Sequence, residues 1–327
     1  MSVKSMHELT TESPPVGLAP ALEAGPEQTS SASVTQRGGR YSLLALLTLP
    51  VAATTVLLLV PLVVLLRFSF LVNIPGRGLS DQLTLDNYAV LFTNAYFRGG
   101  IILTVVTALL VTAICLVLAF PVAYAYARTS VGPKGLLLIA ILSPFYIDIL
   151  VRVYAWMVLL GRGGLVDQLL LATGLLKTPV DFRSGYLGIV IILIYITLPF
   201  MILSLIGPLQ SIDDGLIEAA RVCGAPPGRV FGTVVLPLSI PGVVAGTILA
   251  FSVGISAFIV PLLVGGRIGQ QFLGVLVYDS MNINQDWALG AAAAAVLLVL
   301  SLVTVALYNW MVKSLKVGVV IGGRLAA

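Results

Sequence analysis

The chain has 327 residues, of which 58% are hydrophobic and only 10% charged, with a formal net charge of +4. An ordinary soluble domain carries about 25% charged residues, so this composition, with a mean hydropathy of +1.06, excludes a soluble globular domain. No basic cluster interleaved with aromatics is present, which excludes a nucleic-acid partner.

Catalytic and metal chemistry are also poorly provided for. The single histidine, His7, lies in the N-terminal tail, and Cys115 and Cys223 sit in separate segments with no metal spacing. Neither the P-loop pattern G-x-x-x-x-G-K-[ST] nor a Gly-x-Ser-x-Gly elbow occurs. The chain is expected to be no enzyme and to hold no cofactor or metal of its own.

Residues 1–40 are rich in Ser, Thr, Pro, Gly and Glu and lack an apolar stretch. They read as a disordered cytoplasmic tail rather than a secretory signal peptide. Six apolar segments follow, near residues 41–66, 99–127, 135–160, 186–208, 240–264 and 287–312. Most are long enough for the ~20 residues that cross a bilayer. They do not alternate apolar and polar residues as barrel strands do, so helices are expected. The fold class is an all-α membrane protein: residues 41–312 form the transmembrane domain and 313–327 a second cytoplasmic tail.

Six spans put both termini on one side. Residues 67–98, 161–185 and 265–286 then face outward, while residues 128–134, the segment at 208–240 and both tails face the cytoplasm. Ten Lys and Arg fall inside and seven outside, with Arg152 within a span, a bias in the direction of the positive-inside rule. Pro50, Pro61, Pro121, Pro144, Pro199 and Pro261 lie within spans and permit kinks, as in a protein that moves or encloses a path. Gly242, Gly246 and Gly254 permit close helix approach.

The segment at 208–240 is a polar insert between two apolar runs. Residues 216–222 have helix character, with Asp213 and Asp214 upstream where a helix dipole favours negative charge. Gly224 is a natural stop, Pro226 and Pro227 enforce a turn, and a second short segment at 229–235 leads into Pro237 and Pro241. The exposed end is expected to carry Ala219, Ala220, Gly224 and Ala225, a low-profile knob able to seat in a partner's cleft.

The series Glu218, Ala219, Ala220, Gly224, Ala225 and Phe231, followed by Leu236, Pro237 and Pro241, resembles the EAA loop of ABC importer permeases. In that family the loop forms a coupling helix that docks in a cleft of a cytoplasmic ATPase subunit. The resemblance implies that Glu218, Ala219, Ala220, Gly224, Ala225, Arg229, Phe231 and Pro237 carry ATPase coupling. An arginine or tryptophan at Ala220 is expected to break that docking. The family often has Asp where this chain has Cys223, which weakens any polar contact inferred there.

Residues 143–156 (Ser-Pro-Phe-Tyr-Ile-Asp-Ile-Leu-Val-Arg-Val-Tyr-Ala-Trp), residues 161–167, residues 198–201 and residues 284–292 are similar to the spermidine/putrescine permease subgroup. Together the matches cover about residues 95–312. They imply the type I ABC importer permease fold with six transmembrane helices in the bacterial inner membrane. They also imply partners: two ATPase subunits that bind ATP and Mg, a second homologous permease in a heterodimer, a periplasmic solute-binding protein and the lipid bilayer. The solute implied is a polyamine; opines, amino-acid derivatives, phosphonates and iron are handled by similar systems.

Asp148 and Arg152, four residues apart, read either as part of the substrate path or as an ion pair within one helix. Tyr146, Tyr154 and Trp156 could offer faces to a cationic amine. Asp279 and Asp286 read as outer residues that steer cations or as plain surface, and Trp287 as an interfacial anchor. Two other classes stand against the importer permease. A secondary transporter would show coupling-ion sites or an inverted repeat. A membrane scaffold or intramembrane enzyme would, in the enzyme case, need paired catalytic groups in the spans.

Overall fold

The computed structural model describes residues 38–129, 131–175 and 177–324. The expected tail at 1–40 therefore lies, up to residue 37, outside the described residues. The chain divides into two units, residues 1–57 and 58–327.

In chain order the elements begin with α1 (Gly38–Ser69), whose first part belongs to the first unit. A hairpin, β1 (Leu71–Ile74) with β2 (Gly78–Leu83), and two helices, α2 (Asp86–Thr93) and α3 (Ala95–Arg128), follow. Next come α4 (Val131–Leu142), α5 (Ile149–Leu160), α6 (Leu165–Ala172) and α7 (Tyr186–Gln210). The polar insert holds α8 (Asp214–Val222) and α9 (Pro227–Val230) and leads into α10 (Leu236–Ile255). Three short helices, α11 (Ile259–Leu263), α12 (Gly266–Gly269) and α13 (Leu273–Tyr278), precede α14 (Trp287–Arg324).

Six helical stretches are long and apolar enough to cross a membrane: Pro50–Ser69, Ala95–Arg128, Ile149–Ala172, Tyr186–Gln210, Pro227–Leu263 and Trp287–Leu307. The expected number is met, but the third span differs. The sequence pattern predicts one helix over 135–160, whereas the chain breaks in the middle of it. Pro144 begins a single 3-10 turn at Ser143–Tyr146, and Ile147 is extended. Asp148 then caps α5, its Oδ1 accepting the Leu150 N–H at 2.8 Å. A proline that cannot continue a helix, followed by a good N-cap, restarts it instead. The third span accordingly starts at Ile149 and takes in α6, which the sequence reading assigned to an outer loop.

The class is all-α, with one short non-helical element after the first span. Pro75, Gly76 and Gly78 make a tight turn, with Gly76 at φ +76° and Gly78 at +83°, so the chain folds back as a two-stranded antiparallel hairpin. Helix α14 continues to Arg324, past residue 313 where the tail was placed.

The main core is made by α3, α7 and α10, which pack on one another. In lipid the driving force for such packing is van der Waals contact, which rewards small residues at crossings. A Cβ on Gly242 would lie 2.8 Å from the Ser204 carbonyl oxygen of α7, and one on Gly254 would lie 3.1 Å from the Ala108 Cα of α3. Both obstacles are backbone, so neither can yield cheaply. Gly242→Leu is expected to cut the yield of folded protein severely, where Gly232→Leu, in open space, leaves it unchanged; size-exclusion profiles in detergent check this.

The loops sort themselves to two ends. Asn73 Nδ2 donates to the Gln285 carbonyl at 3.2 Å, and the Gly265 N–H donates to the Arg183 carbonyl at 2.8 Å. These bonds gather the hairpin, residues 181–185 and residues 265–286. At another place Arg128, the last residue of α3, meets Asp214, the first residue of α8.

Candidate functional site

The polar insert forms a closed hook. Asp213 caps α8, its Oδ1 accepting the Gly215 N–H at 2.9 Å, with Asp214 in the first turn. The helix so begins two residues earlier than the sequence pattern predicts. Its far end is a Schellman motif: the Ala225 N–H donates to the Ala220 carbonyl (3.1 Å) and the Gly224 N–H to the Arg221 carbonyl (2.9 Å). Gly224 stands at φ +80°, a conformation costly for a residue with a Cβ. Pro226 is extended, and Pro227 starts α9 at the position where a missing N–H costs nothing.

The return to the membrane is one continuous helix rather than a loop followed by a span at 240. Residues Phe231–Val235 form a π turn in which the Leu236 N–H reaches back to the Phe231 carbonyl. Pro237 explains it: its ring cannot donate and would collide with the carbonyl four residues earlier, so the helix widens by one residue there.

The surface of α8 differs in part from the expected knob. Ile217 is buried, and Ala220 and Ala225 are half-buried against the protein's own core. The exposed side presents Leu216, Glu218, Ala219, Val222 and Cys223, with Val222 88% exposed. Leu216, Ala219 and Val222 recur at three-residue spacing and form one apolar stripe. Gly224, Arg229 and Pro237 are exposed. Phe231 turns back to α3 and packs edge-on to Phe120 with centroids 5.2 Å apart.

Around α5 the expected grouping does not assemble. Asp148 and Arg152 form no ion pair: the carboxylate is used as the α5 cap, outside the helix proper. Arg152 is half-buried, and its Nε is shielded from solvent without a hydrogen-bond partner. Trp156, one turn on, stacks edge-on to Tyr195 of α7 at 5.4 Å. Tyr154 lies on the opposite side of α5 and is exposed, and Tyr146 is 87% exposed on the 3-10 turn. The three aromatics therefore do not make one cage.

At the other end, Asp286 Oδ1 accepts the Leu289 N–H at 3.0 Å and so caps the start of α14. Asp279, in the π turn Asp279–Ile283, is partly shielded, and burial pushes its carboxyl above the ordinary value. Burial opposes ionisation of Asp181. Hydrogen bonds from Ser184 and Arg183, with the Arg183 charge, outweigh it and hold that carboxyl below its ordinary value.

Two structural residues escaped the sequence reading. Asp167 is fully buried; its Oδ2 accepts the Gly163 N–H at 2.8 Å and its Oδ1 the Val180 N–H at 3.0 Å. Arg128 holds the start of the insert, as described below. Only their charge in an apolar context marked them, and it did not say which backbone groups they would meet. Among the described residues no cluster of His, Cys, Asp and Glu could hold a metal ion.

Comparison with known proteins agrees with this architecture. The family described as the binding-protein-dependent transport system inner membrane component matches residues 88–317. The spermidine/putrescine transport system permease protein PotB of Haemophilus influenzae is 30% identical over 250 residues, covering 76% of this chain and 87% of that protein. The inner membrane ABC transporter permease protein YdcU of Escherichia coli is 35% identical over 250 residues, covering 73% and 78%. The crystal structure of a bacterial ABC transporter involved in the import of the acidic polysaccharide alginate has a similar fold. Its TM-score is 0.66 at 19% identity, over 84% of this chain and 96% of that one.

Proposed function

The chain belongs to the family of inner-membrane components of binding-protein-dependent transport systems, and from that premise we propose that it is the permease subunit of an ATP-driven polyamine importer. The observation that carries the coupling part is α8: a capped helix, closed by a Schellman motif, with Leu216, Ala219 and Val222 exposed on one side. A helix whose apolar side is left open is the form recognised by a groove. The groove is that of a cytoplasmic ATPase subunit, two of which bind ATP and Mg and supply the energy. Glu218, Ala219, Gly224 and Arg229 stand at that contact, while Ala220, Ala225, Phe231 and Pro237 shape the hook behind it.

The insert and both termini lie in the cytoplasm under this reading. The end that gathers the hairpin, Asp181, Asp279 and Asp286 faces a periplasmic binding protein. A second, homologous permease completes the path. The polyamine assignment is supported by similarity to PotB, and the outer carboxylates suit a cationic solute.

One observation favours a second reading, import of an acidic solute such as a phosphonate. The Arg152 Nε is shielded and unpartnered, and a guanidinium inside a bilayer seeks an anion. ATPase stimulation of the assembled complex in proteoliposomes separates the two. Stimulation by a purified binding protein loaded with spermidine or putrescine is expected. A complex that answered only to an anionic ligand would remove the polyamine assignment and point to Arg152.

A further inference from the structure

Phe120, Tyr124 and Arg128 follow one another at four-residue spacing along the last turns of α3, and so share one side of it. That side meets the polar insert at both of its ends. At the start, Arg128 Nη1 bonds the Asp214 carboxylate and points at the Ile212 carbonyl at 3.4 Å. At the return, Phe120 holds Phe231. Tyr124 lies between, with the Arg128 guanidinium 5.7 Å from its ring centroid, a cation–π distance. Ile212 and Asp214 flank the Asp213 cap, so Arg128 grips the first turn of α8.

We propose that Arg128 is a positioning residue that ties α8 to α3, so that a push on α8 moves α3 as one body with it. The proposal rests on the reading of α8 as the ATPase contact. A hook clamped at the first turn of α8 and again at Phe231, beyond α9, cannot slide along α3 without breaking the ion pair or the ring contact. Pro121, inside α3 and one residue beyond Phe120, leaves the carbonyl of Val117 without its helical donor. The helix is therefore most deformable at the upper contact, where a kink turns a push at the cytoplasmic end into a tilt. The Arg128 side chain is about four-fifths shielded and Asp214 is mostly exposed, so salt screens the pair only in part. The Nε and Nη2 of Arg128 have no hydrogen-bond partner among the described residues. The tie therefore needs the charge and not the whole fork, and lysine can replace arginine.

The test uses the complete transporter in proteoliposomes, with radiolabelled spermidine uptake and ATP hydrolysis measured together. Arg128→Ala is expected to lower solute moved per ATP about fivefold, the scale on which residues along a coupling route act, with ATPase subunits still co-purifying. Arg128→Lys keeps the ratio; Arg128→Glu loses it, and Arg128→Glu with Asp214→Lys recovers most of it. An unchanged ratio in Arg128→Ala, or a charge-reversed pair no better than Arg128→Glu alone, overturns the tie. Amide exchange in the purified full chain in nanodiscs gives an arm that needs no solute. Arg128→Ala must speed exchange at residues 214–218, and equal exchange overturns the inference. A wild-type complex that moves no spermidine counts against the polyamine reading, while the exchange arm still decides the tie.

Discussion

Ala219→Trp is expected to abolish ATPase docking and ATP-driven uptake while leaving the permease folded in the membrane. Ala219 lies in the middle of the exposed stripe of α8, between Leu216 and Val222. A methyl group there lets a partner's cleft close on the helix; an indole holds it open. Loss of a central contact in a well-packed interface costs about 2–4 kcal/mol, or roughly thirtyfold to a thousandfold in affinity. The readout is co-purification of the ATPase subunits with the permease, alongside uptake. Normal uptake and retained ATPase subunits in Ala219→Trp would remove α8 from the coupling role. The residue singled out from sequence, Ala220, is a poorer probe. Its side chain is half-buried beside Ala225 against the protein's own core, so Ala220→Trp is expected to disorder the hook itself as well as block docking. Ala219→Ser, small enough to seat, is expected to behave as wild type.

Asp167→Ala is expected to destabilise the folded protein clearly. Both carboxylate oxygens of this fully buried residue accept backbone N–H groups, one from residue 163 and one from residue 180. The pair of bonds clasps the α5–α6 turn to the chain that leads into α7. Removing the acceptor leaves two donors without partners in shielded surroundings, at about 1–3 kcal/mol each. A loss of about 3 kcal/mol is expected, seen as a clear fall in the midpoint of thermal unfolding in detergent. Asp167→Asn, which keeps one carbonyl acceptor, should fall between wild type and Asp167→Ala. A midpoint for Asp167→Ala within a degree of wild type would show that the clasp contributes nothing.

Much of the hook was legible because its parts are local. The acidic start at Asp213 and Asp214, the stop at Gly224 and the proline turn each depend on residues within a few positions; that Asp213 is the cap came from the structure. Their chemistry is written in the residue types. The third span was misread for a reason of the same kind: apolar composition hid a competition between Pro144 and a capping Asp148 that restarts the helix. Of the two readings of Asp148 and Arg152, the ion pair does not form, because a carboxylate at a helix start is closer to free backbone N–H groups than to a side chain a turn away. Asp286 is spent the same way, at the start of α14.

By itself the amino-acid order determined that six runs cross the membrane, though not where the third begins, since a bilayer demands about 20 apolar residues in a helix whatever surrounds them. It also determined the insert between the fourth and fifth, and the family through that insert's motif. Tertiary structure alone decided which face of α8 stays open, that Arg128 finds Asp214, and that Asp167 reaches Val180. These contacts join residues thirteen to eighty-six positions apart. Local propensity carries no information across such distances; only the tertiary packing of the helices brings the partners within hydrogen-bond reach.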